Sequence, residues 1–356
     1  MDLWPPFPPP SIPAALRDVN SRKPAFRARA AASLGDLTGH EEVREQAIVS
    51  LRKLLSDRSP DVRGTAALSL GRLGAVEAMD DVIRLAEESD ELAAQDAIAA
   101  LGYLQDGRAS ACIRKALRHA DADVRFQAVI AIVMVDPAEA GECLDAALQD
   151  PDQEVRACAV SALGDLGDPQ STSRLRPLLE DRDASVRFEA AITLVRLGNA
   201  DGAPVLVDAL SDRAMAPDAS LYLGKLRHRG ALDRLKGVYK RFFFPAAARI
   251  HAAAAAASMG DSEAASFLED RMLRKGLDGH LARSATGTLG IEALLDPLAD
   301  ALCSSDSEVA ESAAAALLEM DTPGARDRIR SRLGGIRETS LREEMEEALA
   351  EAAGCP

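Results

Sequence analysis

The stretch Asp152-Gln153-Glu154-Val155-Arg156-Ala157-Cys158-Ala159-Val160-Ser161-Ala162-Leu163-Gly164-Asp165-Leu166-Gly167-Asp168-Pro169 decides the fold, because its pattern returns along the chain. Val62-Arg63, Val124-Arg125, Val155-Arg156 and Val186-Arg187 follow one another at spacings of 62, 31 and 31 residues, and Ala248-Arg249 continues the series after another 62. The period is 31. Other columns keep the same register: Ala66, Ala97, Ala128, Ala159, Ala190 and Ala252 form one, and Leu70, Leu101, Ile132, Leu163 and Leu194 the next. Val82, Ile113, Leu144, Leu175 and Leu206 form a third, and Ala86, Leu117, Leu148, Leu179 and Leu210 a fourth. A self-similar pattern of this length is the mark of a repeat architecture.

Inside one unit the spacing is helical. Val62, Ala66 and Leu70 stand four apart and share a face, as do Val82 and Ala86 in the second half, so each unit reads as helix, turn, helix. The alanine column suits helices that approach closely. Gly74, Gly167, Gly198 and Gly260 mark the turn between the two halves, where a helix C-cap in the left-handed region favours glycine. The quoted stretch resembles the HEAT-like repeats first described in bilin lyases. The resemblance covers roughly residues 21–335 and implies an all-α, right-handed α-solenoid of about ten helix pairs. Such a fold serves many unrelated tasks and does not by itself name one.

Around this array the sequence predicts a proline-rich tail over residues 1–20, with six prolines in the first 13 residues beside Trp4 and Phe7, and a polar capping segment over 336–356. Proline density forbids a helix and favours extended geometry; the tail reads as a cap on the first repeat or a free end, with a docking peptide built on Trp4 as the other reading. In the final segment Leu341, Met345 and Leu349 make a narrow apolar stripe among glutamates, as an end repeat needs.

Composition narrows the function. The net charge of -15 repels polyanions, so non-specific binding of nucleic acid or anionic lipid is not expected. The five cysteines (Cys112, Cys143, Cys158, Cys303, Cys355) form no CxxC pair and no metal-spaced cluster, and Cys112 and Cys143 stand one period apart as small apolar fillers. The first residues lack the pattern of a signal peptide, and no apolar run reaches 18 residues, so a cytoplasmic protein without a membrane span is expected.

Enzyme chemistry finds little footing. The deoxyhypusine hydroxylases, which share this architecture, hold two irons with paired His-Glu motifs. Among His40, His119, His228, His251 and His280 only His40 is followed by Glu, so a metal-dependent hydroxylase is disfavoured and no metal or cofactor is expected. There is no H-E-x-x-H, G-x-S-x-G or phosphate-binding glycine loop. The overall charge also argues against a repeat-type DNA glycosylase.

The column arginines are read structurally. Asp57 precedes Arg63 by six residues, as Asp150 precedes Arg156 and Asp181 precedes Arg187, so with Arg125 they are expected to form an Asp-Arg ladder between adjacent units.

One segment breaks register. In the seventh unit the alanine and leucine columns arrive two residues early, at Ala219 and Leu223, yet Ala252 is back in place, so about two extra residues lie between. From Lys225 to Arg249 the chain carries a local +7 and four of its twelve aromatics. Lys225, Arg227, His228, Arg229, Arg234, Lys236, Tyr239, Lys240, Arg241, Phe242, Phe243 and Phe244 are therefore the expected partner-binding residues, since cations beside aromatics make interface hot spots. The competing reading is a filled core gap and a solvated face. The expectation is a non-catalytic cytosolic scaffold or adaptor for a protein with an acidic or phosphorylated surface. The alternative is a bilin-lyase-like protein that holds a small cofactor in a groove and loads it onto a client.

Overall fold

The computed structural model describes residues 10–37, 41–88 and 91–354; Trp4, Phe7, His40 and Cys355 lie outside them. Among the described residues every regular element is a helix. The chain divides into two compact units, Met1–Thr193 and Leu194–Pro356.

In the first unit the helices are α1 (Ile12–Asp18), α2 (Pro24–Leu34), α3 (Arg44–Leu54), α4 (Pro60–Arg72), α5 (Met79–Glu88), α6 (Glu91–Leu104), α7 (Ser110–Ala116), α8 (Ala122–Val135), α9 (Pro137–Cys143), α10 (Gln153–Leu166) and α11 (Ser171–Leu175), and α12 (Ala184–Arg196) begins in it and ends just past Thr193. The first helices of successive pairs, α2, α4, α6, α8 and α10, pack side by side, while α3 lies on α4, α5 on α6 and α7 on α8. The tail expected over 1–20 is helical in its described part: Ile12, Ala15 and Val19 are buried, and α1 packs on α2 as later second helices pack on the first helix of the next pair. Pro13 is tolerated because the first turn of a helix has no use for its missing N–H.

The column residues are the core. Val62, Ala66, Leu70, Ala97, Leu101, Ala128, Ile132, Ala159 and Leu163 are fully or almost fully buried. A second set of small residues follows the leucine column. A Cβ on Gly71 would stand 2.9 Å from the Cα of Ala100, and one on Gly102 would stand 3.3 Å from that of Ala131, so these Leu-Gly pairs set how closely neighbouring first helices approach. The Leu-Gly signal was present at the 31-residue period and is as informative as the alanines.

The turn glycines adopt the conformation their place requires: Gly74, Gly167, Gly198 and Gly260 have φ of 60, 67, 79 and 95°. Gln105, Arg227 and Asp321, with φ of 50, 47 and 41°, take the same left-handed position where the sequence has no glycine.

Two thiols are inert fillers. Burial pushes Cys112 up to about 11 and Cys158 up to about 12, so neither supplies thiolate at neutral pH.

Asp96 is the misfit of this unit. It sits on α6 against Gly64 of α4, where an added Cβ would meet its Oδ2 at 2.1 Å, and burial, with a smaller contribution from Asp61, pushes its carboxyl up to about 6. A carboxyl whose folded pKa exceeds the unfolded value costs stability above that folded pKa and regains it as pH falls toward the unfolded one. Asp96→Asn is expected to stabilise the protein by about 1–2 kcal/mol at pH 7, with the gain vanishing near pH 4. Urea unfolding at the two pH values checks it; an equal effect at both would mean that ionisation is not the cause.

The second unit holds α13 (Ala203–Ala209), α14 (Ala216–Lys225), α15 (Leu232–Tyr239), α16 (Ala246–Ser258), α17 (Ser262–Met272), α18 (Leu277–Thr288), α19 (Leu295–Leu302), α20 (Ser307–Met320), α21 (Pro323–Arg332) and α22 (Thr339–Gly354). Here α14, α16, α18 and α20 pack in succession, with α15 on α16 and α19 on α20. In α22, Leu341, Met345 and Leu349 are buried and the helix packs on α20 and α21.

Candidate functional site

The turns that close each unit obey one rule in the first unit. Arg125 forks onto Asp150, Nε and Nη2 to the two carboxylate oxygens at 2.7 and 2.8 Å, and Arg156 forks onto Asp181 at 2.9 and 2.8 Å. Arg27 forks onto Asp57 at 2.7 Å in the same way. The six-residue relation visible in the sequence is a different contact: Nη1 of Arg63, Arg156 and Arg187 donates to the backbone carbonyls of Asp57, Asp150 and Asp181. Each arginine therefore clamps the turn before it through a carbonyl and, where its fork is made, the turn after it through a carboxylate. The same aspartates accept the N–H two residues on, as Asp150 does from Asp152, and the next acid caps the following helix, as Asp152 does from Glu154 and Val155. Burial alone would raise Asp150 and Asp181, but the arginine fork and the backbone N–H hold both below the ordinary carboxylate range.

The seventh unit departs from this rule. From the left-handed residue to the N-cap residue of the next first helix, the chain runs from Gln105 to Asp121, Gly260 to Gly276 and Gly290 to Asp306, each sixteen residues on. In the seventh unit it runs from Arg227 to Pro245, eighteen residues on. The two extra residues thus lie in the half that holds α15 and the turn over 240–245. Phe243 stands where other closing turns carry Asp150 or Asp181, and Pro245 takes the N-cap position without a side-chain hydrogen bond.

The result is an apolar protrusion. Phe242 and Phe243 are 78% and 86% exposed, packed edge to face with ring centroids 5.2 Å apart. Phe244 is half-buried beneath two guanidinium groups, Arg241 at 5.6 Å and Arg213 at 6.0 Å from its centroid, and Arg213 also donates to the Phe243 carbonyl at 3.0 Å.

The twelve residues singled out in the sequence do not form one surface. Lys225, Arg227, His228 and Arg229 lie beyond one end of α15 and Lys240 to Phe244 at the other, separated by the roughly 12 Å length of an eight-residue helix. Between them Lys236 pairs with Asp261 at 2.6 Å, Lys240 with Glu263 at 2.7 Å and Arg234 with Asp208 at 3.5 Å, so these three cations are neutralised by acids of neighbouring pairs. Tyr239 belongs to the core: it is buried against Phe267, its hydroxyl donates to Asp261 at 3.4 Å, and burial pushes it up to about 12. The filled-gap reading thus fits Tyr239 and fails for Phe242 and Phe243.

Arg227 has a backbone role. Its left-handed φ is strained for a residue with Cβ and its side chain is exposed. Arg227→Gly is expected to raise stability by about 1 kcal/mol. A thermal melt checks it, and a lowered midpoint would mean that the side chain holds the turn.

Elsewhere the molecule offers shallow openings. A cavity of about 640 Å³ in the first unit is lined by Arg114, Lys115, Leu117, Arg118, Glu142, Cys143 and Ala146. Arg114 is already bound to Asp136 and Glu139, and Lys115 to Glu87. Among the described residues no group of three or more His, Cys, Asp or Glu is placed to hold a metal ion, and no helix is long and apolar enough to cross a membrane. His251 is a core histidine, half-buried with Nδ1 3.2 Å from the Pro217 carbonyl.

Stacked helix pairs with a 31-residue period define a helical-repeat protein. Residues 12–102 and 142–217 match the family model of HEAT repeats, so these two stretches carry HEAT repeats. The comparison with curated proteins gave no match. Among solved structures the chain is similar to an engineered protein at 19% identity, over 97% of this chain and 99% of that one, with a TM-score of 0.38. It is similar to the complex of CpcE and CpcF of phycocyanin lyase from Nostoc sp. PCC7120 at 20% identity, over 81% and 99%, with a TM-score of 0.35. It is also similar to importin beta at 14% identity, over 97% of this chain and 52% of that one, with a TM-score of 0.44.

Proposed function

We propose that this protein is a non-catalytic scaffold or adaptor that holds a protein partner on its second unit, at the turn over residues 240–245. One observation carries the reading: two adjacent phenylalanines stand almost fully in water on a turn where the first unit places a clamped aspartate. Exposed aromatic side chains bury little of their surface in the fold and cost solubility, and such residues are enriched where partners bind. The basic cluster at Lys225 to Arg229 lies at the far end of α15 and serves as an internal control.

The reading is tested by affinity capture from host extract with the wild type, with Phe242→Asp combined with Phe243→Asp, and with Lys225→Glu combined with Arg229→Glu. All the substituted side chains are exposed, so unchanged melts are expected. A partner kept by the wild type and the charge variant but depleted at least tenfold from the phenylalanine variant supports the proposal. One identical set on all three baits overturns it.

A further inference from the structure

We infer that the second unit carries a docking strip formed by two consecutive turns, residues 240–245 and 273–277, and that its occupant is a short acidic segment of another protein with two apolar anchor side chains. The inference rests on the adaptor reading and narrows its partner. Helices α16 and α18 begin at these turns, run in the same direction and pack directly on each other, so the turns share one edge at the spacing of adjacent helices, roughly 8–10 Å. The second turn repeats the anomaly of the first: Leu273 and Leu277 are 63% and 68% exposed. In the first unit the closing turns read Asp150-Pro151-Asp152 and Asp181-Arg182-Asp183, and their acids are spent on arginine forks and helix caps.

Size selects among occupants. At about 200 Å² for a fully exposed aromatic side chain, the two phenylalanines and two leucines together offer roughly 500 Å² of apolar surface. A second copy of the chain or a globular domain calls for about 800 Å² on each side. A short segment with two anchors fits the smaller area.

Charge selects the chemistry. Arg274 is bound to Asp270 and Lys275 to Asp306, each at 2.5 Å. Arg213 and Arg241 flank the phenylalanines with no carboxylate within ion-pair distance among the described residues, in a chain of net charge -15. Two unneutralised guanidinium groups beside an apolar strip attract Asp and Glu, in bidentate geometry where the backbone allows it.

The test selects a phage-displayed random dodecapeptide library on the full chain, with the Phe242→Asp, Phe243→Asp variant as counter-screen. The leading sequence, made as a fluorescein-labelled peptide, is then titrated by anisotropy against the wild type, Leu273→Ser with Leu277→Ser, and Arg213→Glu with Arg241→Glu. Selected peptides should pair two apolar residues with acids, and each double variant should weaken binding at least tenfold. The inference is overturned by no enrichment over the counter-screen, by enriched peptides without acids, or by binding that ignores the leucines. Sedimentation with phosphatidylcholine vesicles, with or without phosphatidylserine, that depends on Phe242 and Phe243 would replace the peptide by a lipid surface. A dimer in sedimentation velocity that the phenylalanine variant abolishes would replace it by a second copy. If peptide selection fails while the captured partner is still lost from the phenylalanine variant, the adaptor reading stands and only its narrowing falls.

Discussion

Asp181→Ala is expected to lower the folding stability by about 3–5 kcal/mol, because it strands a charge that the fold has already taken out of water. The Arg156 and Asp181 side chains are only 4% and 9% exposed. Once the carboxylate is gone, Nε and Nη2 of Arg156 lose both acceptors of the fork, while Nη1 keeps the carbonyls of Asp150 and Pro151. The guanidinium stays buried and charged with half its hydrogen bonds missing. The N–H of Asp183 also loses its acceptor at 2.8 Å, which loosens the start of α12. A surface pair would be worth a few tenths of a kcal/mol, so a loss of this size reports burial. The check is urea unfolding followed by helical ellipticity, with Arg156→Met combined with Asp181→Leu as the companion. Removing both charges should restore much of the loss; a single variant within about 0.5 kcal/mol of wild type would show that the fork is not needed. The pH dependence has a fixed sign. Asp181 is held below its ordinary value, so its contribution is complete above the unfolded pKa near 3.8 and is lost as pH falls through the lower folded one. The gap between wild type and variant should therefore close in acid.

The repeat was open to reading because packing and sequence share one period. Ala66, Ala97 and Ala128 are small since neighbouring helices meet there, and Gly74, Gly167, Gly198 and Gly260 are glycines since the backbone turns left-handed there. What the sequence left ambiguous were relations that no spacing states. Asp150 and Arg156 stand six apart, yet the carboxylate of Asp150 serves Arg125, twenty-five residues back, and only its carbonyl serves Arg156. A one-dimensional pattern counts the pair and cannot say which atom is used.

The candidate site was legible as a place and not as a surface. Two extra residues and a run of cations pointed to the seventh unit, but they could not tell Tyr239, which fills the core, from Phe242 and Phe243, which stand outside it. Exposure depends on where the two added residues are absorbed, and that is settled by the helices on either side. Leu273 and Leu277 carried no signal at all, because an apolar residue at a turn reads as core until its neighbours are known.

Gly279 and Gly237 give the second large effect, as a pair of opposite sign. Both are helical glycines of the second unit, and on propensity alone each Gly→Ala change should stabilise by up to about 1 kcal/mol. Around Gly237 on α15 there is no atom within 4 Å of an added Cβ, so Gly237→Ala should show that gain. At Gly279 on α18 the added Cβ would lie 1.9 Å from the carbonyl oxygen of Arg274 and 2.9 Å from Nη1 of Arg283. A carbonyl cannot rotate out of the way as a side chain can. Arg283 has little freedom either: it is fully buried, with Nη1 donating to the carbonyls of Met272 and Arg274 at 2.5 and 3.0 Å and Nε to Ser312 at 2.6 Å. Desolvation already lowers its pKa from the ordinary arginine value, so displacing it from these acceptors leaves a buried cation with fewer partners. Relief must come from the backbone between α17 and α18, where Gly276 sits at φ 75° and ψ -169°, a conformation open in practice to glycine alone. The clash therefore outweighs the propensity gain, and Gly279→Ala is expected to cost about 2–3 kcal/mol net. Thermal melts of the two single variants decide it. Equal stabilisation by both would mean that α18 shifts freely on α17 and that Gly279 is only a flexible residue in a helix.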